Sequence, residues 1–230
     1  RMQNIGNSMH NQSRLVLICH GQSTYNEKNL FTGWEDVQLT EKGVREAHEA
    51  ALLIKDITFT HAFTSKLRRA QDTLAIIFKD IKQAIPTIEN IALNERDYGS
   101  LVGQNKKDAA KIFGAKQVQI WRRSYATPPP DGESLEMTAK RTIPYFKNKI
   151  EPLLEDNNEI IISAHGNSIR SIVMHLHKFN SEQILKTEIG WCEPWIYTFI
   201  DGKQTSFEIL SRPGEKSKSQ LPEEIESIIQ

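Results

Sequence analysis

Apolar residues recur along this chain in two rhythms. Short runs of consecutive apolar positions predict buried strands, and apolar positions three and four apart predict helices packed on one face. The first run, Leu15-Val16-Leu17-Ile18, ends at Cys19 and gives way to His20-Gly21 and a polar segment. Another, Ile160-Ile161-Ile162 within 159–164, runs into His165-Gly166-Asn167-Ser168. Residues 61–65 read as a strand and 86–91 as an extended edge segment. Residues 195–200 and 206–210 flank Asp201-Gly202, a hairpin signal. Between the strands, Thr40 is placed to cap a helix carrying Val44, Ala47, Ala51 and Ile54, and Ser65 to cap one carrying Leu67, Ala70, Leu74 and Ile77. Residues 106–121 are helix-like with a break near Gly114. Thr127-Pro128-Pro129-Pro130-Asp131-Gly132 makes a rigid loop. Ser134 opens a helix toward 154 that Pro144 and Pro152 kink or end, and 168–177 form another helix.

Strands alternating with helices predict an α/β fold: a three-layer sandwich with a mainly parallel sheet, an antiparallel edge and helices on both faces. Residues 14–211 form the expected domain, with no internal repeat. Residues 1–13 are polar and read as a disordered leader, and 212–230 as a flexible, charged tail. Ile225, Ile228 and Ile229 could make one amphipathic turn there.

Composition narrows the function. Lys and Arg number 29 and so do Asp and Glu, so the 230-residue chain is formally neutral. A neutral chain argues against a broad nucleic-acid footprint but leaves room for a local basic pocket. No apolar stretch is long enough to span a membrane. Only Cys19 and Cys192 are present, which fits a reducing, cytoplasmic compartment and no disulfide framework. Neither an HExxH nor a CxxC spacing occurs, so no metal ligand set is expected.

The candidate chemistry begins with His20 and His165. Each stands at the carboxyl end of a strand, where open α/β sheets hold ligands. A lone strand-end histidine is usually structural, but two, each followed by glycine and short polar residues, suggest two imidazoles facing one pocket. Arg68-Arg69, Arg96, Lys106 and Arg122-Arg123 fall in segments that read as loops or junctions. Any one pair reads as a solvated face. Converging on the histidines, they would make an anion pocket, because the arginine fork binds phosphate oxygens in pairs. Glu95 would be the local carboxylate able to move a proton near neutral pH. Two imidazoles, one carboxylate and several cations without a metal motif describe phosphoryl transfer through a phosphohistidine. A small phosphorylated metabolite suits such a pocket better than a polymer.

At these residues the chain resembles the cofactor-dependent phosphoglycerate mutases of the histidine phosphatase superfamily. The motifs are CHGQSTYN, FTGWEDVQLTEKG, TSKLRRAQDTL, LNERDYG, WRRSYATPPPDGESL and AHGNSIR, spread from Arg14 to Leu210. The resemblance implies that His20 is the phosphorylated nucleophile, that Arg69 and His165 line the phosphoryl site, and that Glu95 acts as acid and base. It implies phosphate or carboxylate contacts from Ser23, Asn26, Thr32, Gly33, Arg96, Lys106, Arg122, Arg123 and Asn167. It further implies interconversion of 3-phosphoglycerate and 2-phosphoglycerate, small three-carbon acid phosphates as partners, 2,3-bisphosphoglycerate as primer, and no metal. A homo-oligomer is compatible with it, and so is a lid role for residues 211–230. The family has Arg-His-Gly where this chain has Cys19-His20-Gly21, and a Thr-Gly-x-Pro turn where it has Trp191-Cys192-Glu193-Pro194. The missing arginine should weaken the grip on a phosphoryl group, and, if that loop borders the pocket, Glu193 should repel phosphate. Besides the mutase, two readings stay open: a phosphatase of the same superfamily, and a weakened or inactive relative retained for binding.

Overall fold

The structure is a computed structural model that describes residues 10–222. The chain runs through β1 (Gln12–Cys19), α1 (Thr24–Glu27), α2 (Glu41–Ile54), β2 (His61–Thr64), α3 (Arg68–Ile81) and β3 (Thr87–Glu89). It continues through α4 (Lys106–Phe113), α5 (Ala115–Arg123), α6 (Leu135–Tyr145), β4 (Glu159–Ala164), α7 (Gly166–His177), α8 (Ser181–Leu185), β5 (Trp195–Ile200) and β6 (Lys203–Ile209). The six strands form one sheet in the order β3-β2-β4-β1-β5-β6. The pairings β3-β2, β2-β4 and β4-β1 are parallel, and β5 and β6 add an antiparallel edge.

The alternation of β1 divides the core. Leu15, Leu17 and Cys19 pack with Phe146, Ile169, Ile172 and Trp195 on the α6–α7 face. Val16 and Ile18 pack with Ala47, Ile54, Leu74 and Ile77 on the α2–α3 face. With both faces covered, β1 and β4 carry unbroken apolar runs, Leu15–Cys19 and Ile160–Ile162, as a buried parallel sheet requires. Parallel pairing also brings the ends of β1 and β4 side by side, with Cys19 opposite Ala164. His20 and His165, each one residue further on, therefore emerge as neighbours.

The structure corrects several boundaries. β1 begins at Gln12, so residues 12 and 13, expected in a disordered leader, are paired in the sheet. Residues 1–9 lie outside the described residues. The helix after His165 starts at Gly166 rather than Ser168. β6 starts at Lys203, because Asp201 and Gly202 both take positive φ, which closes a two-residue hairpin turn. Ser65 does not cap α3, whose N-cap position is Leu67; its hydroxyl turns to His165 instead. The long helix opened by Ser134 does change at its prolines, passing from α6 into a wider turn at Phe146–Ile150 and a tight one at Glu151–Glu155.

One contact fixes the loop after β1. A Cβ placed on Gly21 would lie 2.3 Å from the Gly43 carbonyl oxygen, and one on Gly43 would lie 2.1 Å from the Gln22 oxygen. The start of α2 thus presses backbone to backbone against the segment that carries His20. We expect Gly43→Ala to destabilise the fold by about 1–3 kcal/mol, the usual cost of overpacking. Urea unfolding checks this, and a loss within about 0.5 kcal/mol, the range of an ordinary surface change, would contradict it.

Candidate active site

His20 leaves β1 with its ring buried, 4% of the residue being exposed. Its Nδ1 lies 2.6 Å from the Gly21 carbonyl oxygen. A carbonyl can only accept, so Nδ1 carries the proton and Nε2 keeps its lone pair. Arg69 Nε approaches that Nε2 at 3.3 Å. Burial first, and the Arg69 charge second, push the His20 pKa down to about 3. The ring is therefore a neutral imidazole with a free nucleophilic nitrogen.

Arg69 sits in the first turn of α3, where a cation opposes the helix dipole. It is 1% exposed and is held by backbone oxygens: one terminal nitrogen donates to Glu35 at 2.8 Å and the other to Gly33 at 2.8 Å. Gly33 has φ of +53°, a backbone turn that aims its carbonyl at this guanidinium. Burying a charge on carbonyl dipoles, without a carboxylate hydrogen-bonded to it, leaves its field available to a ligand.

His165 ends β4 and is fully buried. Its ring lies edge-on to His20 with centroids 5.1 Å apart. Nε2 is 2.7 Å from Ser65 Oγ, while Nδ1 is buried with no partner among the described residues. Burial, then Arg69 and His20, hold its pKa well below the usual histidine value.

Glu95 reaches the same place from a loop. Its Oε1 accepts from Arg96 N at 2.8 Å and from Asn167 N, in the first turn of α7, at 3.0 Å. This leaves Oε2 without a protein donor. The Glu95 carbonyl is fixed by Trp34 Nε1 at 2.6 Å and by Arg141 at 2.8 Å. Arg141 is itself paired with Glu133 at 2.9 Å, so it braces the whole loop.

Two chambers open here. The inner one, of about 90 Å³, is lined by His20, Arg69, Glu95, Thr32, Gly33 and neighbours. The outer, of about 250 Å³, is lined by Arg122, Arg123, Asn167, Arg170, Trp191 and others. Asn26, Tyr98 and Lys106 line both. Burial, then Arg122, lowers the Lys106 pKa, and burial, then Arg123, lowers that of Arg122. The cations repel one another across the chamber, and an anion would relieve that repulsion.

The structure gathers most of the residues singled out in the sequence, with three exceptions: His165 stands against the His20 ring but lines neither chamber, and Ser23 and Arg96 turn elsewhere. Ser23 caps α1, exchanging hydrogen bonds with Asn26 at 3.1 and 3.0 Å, and lines neither chamber. Arg96 is a buried strut that donates to the Glu133 and Trp121 carbonyls at 2.6 and 2.5 Å. Sequence reasoning missed Tyr98, Arg141, Arg170 and Trp191. Tyr98 and Arg170 sit within recognised motifs and Trp191 in the stretch that departs from the family pattern, whereas Arg141 carries no signal outside its helix. Glu193 lines neither chamber, although Trp191 of the same loop lines the outer one. Cys19 points into the α6–α7 core, where burial raises its pKa above the usual thiol range. Arg14 is far from the site and pairs with Glu159 at 2.8 Å.

A strand-end imidazole beside a buried arginine, in a sheet with this strand order, defines a class. Residues 15–209 match the histidine phosphatase superfamily (branch 1), and the chain belongs to that superfamily. Among curated relatives, the chain is 52% identical over 190 residues to the 2,3-bisphosphoglycerate-dependent phosphoglycerate mutase of Parvibaculum lavamentivorans, covering 81% of this chain and 90% of that protein. It is 50% identical over 185 residues to the protein of the same name from Cytophaga hutchinsonii, covering 80% and 87%. Among solved structures, it resembles the phosphoglycerate mutase of Bacillus anthracis with a TM-score of 0.69 and 22% identity, covering 86% of this chain and 93% of that one. It also resembles the alpha-ribazole phosphatase of Shigella flexneri with a TM-score of 0.74 and 22% identity, covering 86% and 95%. At these identities the structures attest the fold alone.

The low histidine pKa values have a measurable consequence. Both rings stay neutral in the folded protein but take up protons in the unfolded chain below about pH 6.5. The unfolded state then binds more protons, so stability is full above pH 6.5 and falls as pH drops from there toward 3. We expect urea unfolding to show this decline and the His20 ring proton signals to stay fixed down to about pH 4. A His20 signal titrating near 6.5 would contradict the assignment.

Proposed function

We propose that this chain is a 2,3-bisphosphoglycerate-dependent phosphoglycerate mutase acting through His20 Nε2. The observation that carries the reading is the pairing of a neutral, tautomer-fixed imidazole with two joined anion chambers. A hydrolase needs a phosphoryl site and water. A second cationic chamber, contiguous with the first, suits a substrate with two anionic groups.

The residues divide the work. Primed His20 passes its phosphoryl group in line to the 2-hydroxyl of 3-phosphoglycerate, the P–N bond breaking as the P–O bond forms, and Nε2 then takes the 3-phosphoryl group of the bisphosphorylated product, a new P–N bond forming as the bond from phosphorus to the C3 oxygen breaks. Gly21 keeps the Nδ1 proton in place throughout. Arg69 and the free Nδ1 of His165 meet the equatorial oxygens, where the transition state spreads its charge. Glu95 Oε2 takes the proton of the attacked hydroxyl in the first transfer and gives one to the departing C3 oxygen in the second, so the enzyme ends phosphorylated, as it began. Lys106, Arg122, Arg123 and Asn167 hold the carboxylate and the distal phosphate. The same residues would hold 2,3-bisphosphoglycerate, which when bound supplies the phosphoryl group that primes His20. Ser23 and Arg96 act by shaping the loops that carry Asn26 and Glu95.

Turnover of 3-phosphoglycerate to 2-phosphoglycerate, measured with and without 2,3-bisphosphoglycerate, tests the reading. We expect activity that depends on the primer. Release of inorganic phosphate without isomerisation would favour the phosphatase, and no turnover by folded protein would favour the binding relative. In the active enzyme we expect Glu95→Gln to lower kcat by about 10²–10⁴, the usual contribution of a positioned acid–base group, with little change in KM. A rise in KM alone would recast Glu95 as a structural partner of Asn167.

A further inference from the structure

Glu193 stands where the sequence departs most from the family pattern, and its carboxylate is buried, with 4% of the residue exposed. Its partners are all in one segment near the C-terminus. Oε1 accepts from Ser217 Oγ at 3.0 Å, Lys218 N at 3.1 Å, Ser219 N at 2.8 Å and Ser219 Oγ at 2.7 Å. Oε2 accepts from Lys218 N at 3.1 Å. Backbone N–H groups and hydroxyls wrapping a carboxylate in this way form strong, charge-assisted bonds.

The same segment grips the loop from which Glu193 projects. Gly190 N and Trp195 Nε1 donate to Ser219 Oγ at 2.9 and 3.2 Å. Glu188 and Gln220 exchange backbone hydrogen bonds, both at 2.9 Å. A Cβ on Gly190 would lie 2.1 Å from Glu193 Oε1, so only glycine leaves room for the carboxylate. On its other side the loop meets the active site. Glu188, Ile189 and Trp191 line the outer chamber, and Glu188 holds Arg123 at 3.0 Å. Cys192 N donates to the Cys19 carbonyl at 2.9 Å, one residue before His20.

We propose that Glu193 is a positioning residue: by clasping Ser217, Lys218 and Ser219 it fixes residues 188–193 as the outer wall of the anion chamber. Its role is to hold Trp191 and the Glu188–Arg123 pair in register with Lys106 and Arg122. Substrate does not touch it. This rests on the mutase reading for the identity of the substrate, while the clasp itself rests on the hydrogen bonds alone.

The test compares Glu193→Met, Glu193→Gln and Gly190→Ala in the full chain, each checked for folding by its melting curve. Methionine matches glutamate in length but accepts none of the five bonds. Glutamine retains an oxygen that can take the Oε1 position and four of them. Gly190→Ala displaces the carboxylate without removing it. We expect Glu193→Met and Gly190→Ala to raise KM for 3-phosphoglycerate by about 10-fold or more with kcat changed less than about 3-fold, the mark of lost binding rather than lost chemistry. Faster amide exchange at Lys218, Ser219 and Gln220 should accompany the change, and Glu193→Gln should stay near wild type in both. An unchanged KM in a folded Glu193→Met protein whose tail amides exchange freely would overturn the proposal. So would tail amides that stay protected. A wild type that does not turn over defeats the mutase reading instead. The clasp is then decided by binding of 3-phosphoglycerate to wild type and Glu193→Met: weaker binding in the variant supports it, and equal binding overturns it.

Discussion

The hydrogen bond from His20 Nδ1 to the carbonyl of its own neighbour, Gly21, is the constraint on which the site turns. It settles which nitrogen bears the proton, and so which one is free. The bond needs Gly21 in place, and Gly21 is held by contact with Gly43 and by Thr73 Oγ1 at 3.2 Å from its amide. Thr73 in turn donates to the Arg69 carbonyl at 2.8 Å. Packing of α2 and α3 against the sheet therefore sets the tautomer of one imidazole and the position of the guanidinium beside it.

The second organising feature is charge held without carboxylate hydrogen bonds. Arg69 is bound by carbonyl oxygens, and Arg170 by Asn167 Oδ1 and the Ile184 carbonyl. Carbonyl dipoles solvate a cation without cancelling it, which suits a pocket built for transient negative charge. Glu95, on Oε1, is the mirror case: backbone N–H groups keep it in place, and among the described residues no donor reaches Oε2. Burial lowers the pKa of both histidines, so both rings are neutral across the physiological pH range.

Much of this was legible in the sequence. Two apolar runs ending in His-Gly predict two strand-end imidazoles, and parallel pairing of β1 with β4 brings them side by side. The helix signals at Thr40 and Ser134 are caps in the fold. What escaped has a common cause: side chains that act through long-range partners leave no local pattern. Ser65 looks like a helix cap, yet its hydroxyl serves a histidine 100 residues away. Arg96 sits beside Glu95 in the motif but turns to carbonyls from two other segments. Glu193 looked like a charge at the pocket rim, because nothing in its neighbourhood announces the serines near residue 218 that surround it.

The most direct measurement is the site of phosphorus attachment on the ring of His20. Protein labelled with ¹⁵N in its histidines, incubated with 2,3-bisphosphoglycerate and observed by phosphorus–nitrogen correlated NMR, reports which nitrogen is bonded. Attachment at Nε2 of His20, with Nδ1 still protonated, is the expected result. A bond at Nδ1 of His20, or a phosphorylated His165, would contradict it.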